Sequence, residues 1–218
     1  MTIQHHPSDE TIARHAAGQL EPAAAIVLAV HLSGCPVCRE RMRQFEALGG
    51  ALLEDLAPAP MAEDAFTATL ARIDAEERPG TERAEPAVAK APVLGGIELP
   101  AERAGCRIGP WRWMAPGFRM SRIRIPGEPG ANLILMRIGA NRRMPEHGHT
   151  GRELTQVLHG SYSDANGRYG AGDLAEEDAE GEHQPLVDPG SECICLAAIE
   201  GRMRLSGVAR LLQPFIGI

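Results

Sequence analysis

Four residues near the start of the chain could grip one metal ion: His6, and then the run His31-x3-Cys35-x2-Cys38. A Cys-x2-Cys pair brings two sulfurs to one ion, and a histidine four residues upstream closes on it across a tight turn. Three ligands are therefore local, and His6 alone must come from elsewhere. Thiolate and imidazole at this spacing point to zinc held in a closed, structural shell. Two other readings stay open at this level. Cys35-Pro36-Val37-Cys38 has the form of a dithiol redox loop, and both cysteines could be ordinary buried thiols. A redox loop wants a strand before it and a parallel sheet around it, whereas Pro22-Ala-Ala-Ala-Ile-Val-Leu-Ala-Val-His31 reads as helix.

A second group lies in the C-terminal half, where His147-x-His149-x3-Glu153 is followed 30 residues later by His183. On an extended strand His147 and His149 point to the same side; a glycine-bearing turn intervenes, and Glu153 opens the next strand. Three imidazoles and a carboxylate suit zinc, iron, manganese, nickel or copper, with geometry and supply making the choice. The alternative is a set of surface histidines on a barrel rim. The pattern resembles the first motif of the cupin fold, His-x-His, three or four residues, Glu, six residues, Gly, with His147, His149, Glu153 and Gly160 in place. Gly139 stands two residues too far upstream for that motif. The second motif, Pro-x-Gly-x2-His, is here Asp178-Ala-Glu-Gly-Glu-His183, which keeps only the ligand.

Further along, Cys193-Ile194-Cys195 sits on a predicted strand with both thiols on one side. They are either small core residues or, if that side is the metal cavity, secondary oxidation sensors. Cys106, His5, His15 and His159 have no partner visible in sequence and receive no role.

The elements that must position these residues fall into two kinds. Residues 8–75 carry helix signals: Ser8 as an N-cap before Asp9 and Glu10, Gly18 as a stop, Pro22 and Pro36 at first-turn positions, and Gly49-Gly50 as a break. A small helical bundle is expected. From Ala62 to Glu76 a further helix places Phe66, Leu70 and Ile73 on one narrow apolar stripe, which either packs on its own bundle or docks in a partner's groove. From about Glu76 to Gly96 Glu, Arg, Pro, Ala and Gly leave no apolar face, so this stretch reads as a linker spanning roughly 25 Å on average. Beyond it the hydrophobic period drops from 3.6 to 2. Strand-length segments at 122–125, 132–138, 153–159, 192–199 and 202–205, with a turn at Asn166-Gly167, give an all-β sandwich or jelly roll. The expected boundaries are 1–76 helical and metal-binding, 77–96 linker, and 97–218 β.

Composition narrows the function classes. The chain has 218 residues and a net charge of -7; residues 1–75 hold 5 basic against 10 acidic side chains, or -5. No clustered basic face is available for phosphates, so direct nucleic-acid binding is not expected, and an acidic helical domain instead suits a basic protein partner. The longest apolar stretch, Ala23 to Val30, falls far short of the roughly 20 residues a bilayer needs. Met1-Thr-Ile-Gln-His-His lacks a signal core. Five cysteines, two of them in a metal-like motif, fit a reducing compartment. A cytoplasmic protein without membrane contact is the expectation.

A His…His-x3-Cys-x2-Cys helical domain, a Pro/Ala linker and a cupin together resemble the ChrR family of zinc-binding anti-sigma factors. The opening Met1-Thr-Ile-Gln-His-His-Pro-Ser-Asp, Cys193-Ile-Cys-Leu-Ala-Ala and the closing Gln213-Pro-Phe are especially similar. The resemblance implies that His6, His31, Cys35 and Cys38 bind the zinc of an anti-sigma domain, and that His147, His149, Glu153 and His183 hold a divalent cupin metal, zinc foremost. It implies sequestration of an extracytoplasmic-function sigma factor, with release when the cupin meets singlet oxygen or a related oxidant. The competing class is a cupin metalloenzyme, a dioxygenase or isomerase with a structural zinc domain. Against it stands the lack of any second reactive group at defined spacing from the metal.

Overall fold

The computed structural model describes residues 2–75, 93–94, 97–98 and 105–206. The expected linker, apart from Val93–Leu94, and the closing Gln213-Pro-Phe lie outside the described residues. Among the described residues four helices come first: α1 (Asp9–Ala16), α2 (Pro22–Gly34), α3 (Pro36–Glu54) and α4 (Ala65–Ala75). A two-stranded pairing of β1 (Val93–Leu94) with β2 (Ile97–Glu98) follows. The remaining strands are β3 (Arg107–Ile108), β4 (Arg112–Ala115), β5 (Phe118–Ile125), β6 (Glu128–Ile138), β7 (His147–His149), β8 (Glu153–His159) and β9 (Ser161–Ser163). After them come β10 (Arg168–Gly170), β11 (Leu174–Glu177), β12 (Glu182–His183), β13 (Leu186–Val187), β14 (Cys193–Ile199) and β15 (Met203–Leu205).

Local chemistry sets the helix ends. The Ser8 hydroxyl accepts from the Thr11 amide at 3.2 Å and opens α1, and Gly18, with φ +67°, ends its turn. Pro22 and Pro36 occupy first-turn positions, where the missing N–H costs nothing. The expected break at Gly49-Gly50 does not occur: α3 runs through both to Glu54. Each glycine costs a helix about 1 kcal/mol relative to alanine, and without a proline or a competing cap nothing stops propagation into Ala51-Leu52-Leu53.

The β part is an antiparallel sandwich. Its large sheet runs β11-β8-β14-β6-β5-β3, with β4 also paired to β5; opposite lie β10-β9-β13 and β12-β7-β15. Each strand of the large sheet sends alternate residues to two different cores. Leu133, Leu135, Leu154, Leu158, Leu196 and Ala198 face one way, and Ile134, Met136, Val157, Cys195, Ala197 and Ile199 face the interior between the layers.

The outer face of the sheet is covered by α2, where a self-contained helical bundle was expected. Ile26, Val27 and Leu28 are fully buried and belong to the same core as Leu133, Leu154 and Leu196. Each such side chain contributes about 1.5–3 kcal/mol when buried, which favours docking of this helix over solvation of the sheet face. A smaller core of Ile12, Cys35 and Cys38, flanked by Met42 and Phe45, joins α1 and α3 around the end of α2. Helix α4 has no buried residue. Among the described residues no single helix is long and apolar enough to cross a membrane.

Candidate metal centres

The first cluster forms where α2 ends and α3 begins. Cys35 is both the last cap of α2 and the N-cap of α3; its sulfur accepts from the Cys38 amide at 3.4 Å. That helix N-terminus favours negative charge on sulfur. His31, one turn back on α2, places Nε2 3.3 Å from Cys38 Sγ. His6 arrives from the segment before α1, with Nδ1 3.4 Å from Cys35 Sγ and 3.3 Å from Cys38 Sγ. All four ligand atoms lie within 4.8 Å of one another, and three of the residues are buried. Zinc–sulfur and zinc–nitrogen bonds of about 2.3 and 2.05 Å at the tetrahedral angle would set such atoms about 3.6 Å apart, so the residues fit one four-coordinate ion. Burial, with hydrogen bonding from Cys35, pushes the Cys38 thiol up to about 12, and burial lowers His31. A cation that displaces the thiol protons therefore relieves an otherwise neutral, desolvated pocket.

The second cluster lies in the sandwich. His147 and His149 project from β7 toward Glu153 at the start of β8, and His183 comes from β12, which pairs directly opposite His147. His147 Nδ1 faces the Pro145 carbonyl at 2.8 Å, which places the proton there and leaves Nε2 bare, 2.9 Å from His183 Nε2. His149 Nε2 abuts Glu153 Oε2, yet by geometry neither completes a hydrogen bond, and both are buried. Orphaned buried polar atoms converging on one point are what a cation would satisfy. Thr155 donates to the other Glu153 oxygen at 2.6 Å. Burial alone would raise Glu153, but close pairing with His149 and attraction to His147 and His183 outweigh it and hold the carboxyl at about 2. It is a carboxylate ready to ligate. Beside this group lies a cavity of about 30 Å³ walled by Met136, Met144, Tyr162, Val187, Cys193 and Cys195.

A sequence profile described as the ChrR Cupin-like domain matches residues 105–201. The anti-sigma-E factor ChrR of Cereibacter sphaeroides is 38% identical over 222 residues, which cover 100% of this chain and 100% of that protein. The chain belongs to the ChrR anti-sigma family. A crystal structure of Rhodobacter sphaeroides SigE in complex with the anti-sigma ChrR matches with a TM-score of 0.71 and 36% identity, over 91% of this chain and 100% of that one.

Within this ChrR-family chain the structure brings each expected quartet together. Cys193 and Cys195 are buried, face the cavity and stand 3.5 Å apart, sulfur to sulfur. Hydrogen bonding between them, with burial, pushes Cys195 far up, so its thiol is protonated at neutral pH. Phe66, Leu70 and Ile73 remain exposed rather than packed on a bundle. Sequence reasoning missed a supporting shell. Asp164 Oδ2 and Glu177 Oε1 sit 3.6 and 4.0 Å from His183 Nδ1, and Gln156 faces His31. His5, left without a role, packs its ring 4.3 Å from that of Tyr169.

Proposed function

We propose that this chain is an anti-sigma factor: its helical region, 1–76, sequesters an extracytoplasmic-function sigma factor in the cytoplasm, and its cupin, 97–218, promotes release on an oxidative signal, with 77–96 between them. The observation that carries the reading is uncovered apolar surface from the second half of α3 through α4. Leu52, Leu53, Leu56, Phe66, Leu70 and Ile73 are all exposed. Large apolar side chains left uncovered in this number along one segment are what a partner's surface would bury. In the matching crystal structure ChrR is bound to the sigma factor SigE. The acidic balance of residues 1–75 suits a partner with a basic contact surface.

The four ligands at His6, His31, Cys35 and Cys38 are read as a structural zinc shell, because four protein donors leave no open position. When bound, zinc would supply a cross-link among the segment before α1, α2 and α3. His147, His149, Glu153 and His183 are read as the ligands of a divalent cupin metal, and singlet oxygen or a related oxidant as the signal. The walls of the cavity beside this group are mostly apolar, and beyond the four ligands they offer thiols, hydroxyls and thioethers rather than a further charged acid or base, which suits a regulator better than an enzyme. The test is co-expression of the full chain with candidate sigma factors, followed by affinity capture and transcription from sigma-dependent promoters. A stable one-to-one complex that represses transcription is expected. Failure to capture or repress any of them overturns the reading.

A further inference from the structure

The imidazole of His31 and the segment that carries His6 are both tied to the cupin, whereas the two sulfurs of the first metal centre sit at the α2–α3 junction. Strand β8 supplies the clearest link. Its odd residues Glu153 and Thr155 face the cupin cluster, and its even residues Leu154, Gln156 and Leu158 face α2. Gln156 is 2% exposed and sits among apolar neighbours, where an unsatisfied amide would cost about 1–3 kcal/mol. Both of its polar ends are used: Nε2 donates to the Val157 carbonyl at 3.1 Å, and Oε1 lies 3.0 Å from His31 Nδ1. An amide oxygen can only accept, so Nδ1 carries the proton and the bare Nε2 turns toward Cys38 Sγ. The same strand thus presents a ligand of the second cluster on one face and the support of a ligand of the first on the other. Glu153 and Gln156 stand three residues apart, about 10 Å along a strand.

His6 is placed in a parallel way. The amides of Gln4 and His5 donate to Asp173 Oδ1 at 2.7 and 3.0 Å, and the Leu174 amide donates to the His5 carbonyl at 3.2 Å. The segment that delivers His6 therefore runs along the cupin edge at β11.

We propose that Gln156 is a positioning residue through which the cupin sheet sets the tautomer and ligand strength of His31 in the His6/His31/Cys35/Cys38 centre. This rests on reading those four residues as metal ligands, and the test separates the two claims. Cobalt(II) is the probe, since a tetrahedral site with thiolates gives sulfur-to-cobalt charge-transfer and ligand-field bands. The full chain is titrated in competition with a chelator, and folding is checked by circular dichroism. Loss of an outer partner typically weakens a metal 10–100-fold. Gln156→Leu, which removes the side-chain acceptor and leaves His31 only the Gly172 backbone, and Gln156→Asn, which keeps the amide but falls a methylene short, should each lose affinity by that factor and shift the bands. Gln156→Glu, which restores an acceptor in reach of Nδ1–H, should bind within about threefold of the wild type. Any other pattern overturns the proposal: wild-type affinity in Leu and Asn shows that Gln156 does not position His31, and equal loss in all three reports packing alone. Absence of thiolate bands from the wild type overturns the metal reading itself, and this inference with it.

Discussion

Truncating the exposed stripe of α4 separates partner binding from folding. Phe66, Leu70 and Ile73 retain 76%, 45% and 61% of their exposure. Complete burial of such a side chain is worth about 1.5–3 kcal/mol, so covering what remains would contribute about 2, 1 and 1 kcal/mol respectively. Replacing all three by alanine forfeits most of that sum, about 3 kcal/mol, or roughly 100-fold in Kd. The fold should not notice. No α4 residue is buried, and surface changes away from special features stay within about 0.5 kcal/mol. Alanine is also the better helix former than phenylalanine or isoleucine. Calorimetric titration of the triple variant with the sigma factor, at two temperatures, should show the weaker Kd and a less negative heat-capacity change. A thermal melt should match the wild type. A Kd within threefold of the wild type would refute the assignment of the stripe to the interface; a large drop in Tm would refute the claim that α4 stands apart from the core.

Four other outcomes follow from the same structure. Leu28→Ala, in the core shared by α2 and the sheet, should cost about 2–5 kcal/mol and lower the urea midpoint of helical and β signals together. With the proposed structural zinc bound at the first centre, Cys38→Ser or chelation of that metal should strip hydrogen-exchange protection from α1 and α3, since structural zinc contributes apparent free energies of roughly 10–16 kcal/mol; α2 should stay protected by the sheet it packs on. Gly160→Ala should lower Tm sharply: φ is +69° and a Cβ would fall 2.2 Å from the Glu192 carbonyl oxygen, so a left-handed penalty of about 1–2 kcal/mol adds to a backbone clash. His147→Ala with His149→Ala should leave repression intact while blunting induction by oxidant in a sigma-dependent transcription assay, and a Cys193→Ser, Cys195→Ser pair run alongside identifies thiol oxidation as the switch if that pair alone fails to respond.

What the sequence made legible was whatever is encoded locally. Ser8, Gly18, Pro22 and Pro36 act within one helical turn, so the helix ends were readable from their types, and the period-2 runs located β5, β6, β8, β14 and β15 within a few residues. The two candidate ligand clusters were readable because His-x3-Cys-x2-Cys and His-x-His-x3-Glu each place most of a potential shell by spacing alone. The docking of α2 on the sheet was not read, although two signals carried it. A helix apolar on every side from Ala23 to Val30 needs cover all round, and Leu133-Ile-Leu-Met136 and Cys193 to Ile199 lack the alternation of a sheet with one wet face. Each half advertised a surface that the other half covers. Gln156 was invisible for a different reason: it stands 125 residues from His31, and nothing in a lone glutamine on a strand names so distant a partner.

The shared sheet also bounds how the proposed oxidative signal in the cupin would act. Because α2 is locked into the core over β6, β8 and β14, unpacking it would expose Ile26, Val27 and Leu28, at a cost of about 1.5–3 kcal/mol each. Coupling between sites typically amounts to 1–3 kcal/mol, too little to detach that helix. The same 1–3 kcal/mol is comparable with the roughly 4 kcal/mol assigned to the exposed stripe of α4. A modest reorientation of α3, whose first turn carries Cys38 and whose far end leads to α4, would therefore loosen the partner while α2 stays in place. Release by that route predicts persistent exchange protection across α2 in the oxidised protein, together with new exposure confined to α3 and α4; loss of protection in α2 on oxidation would instead require the domains to separate.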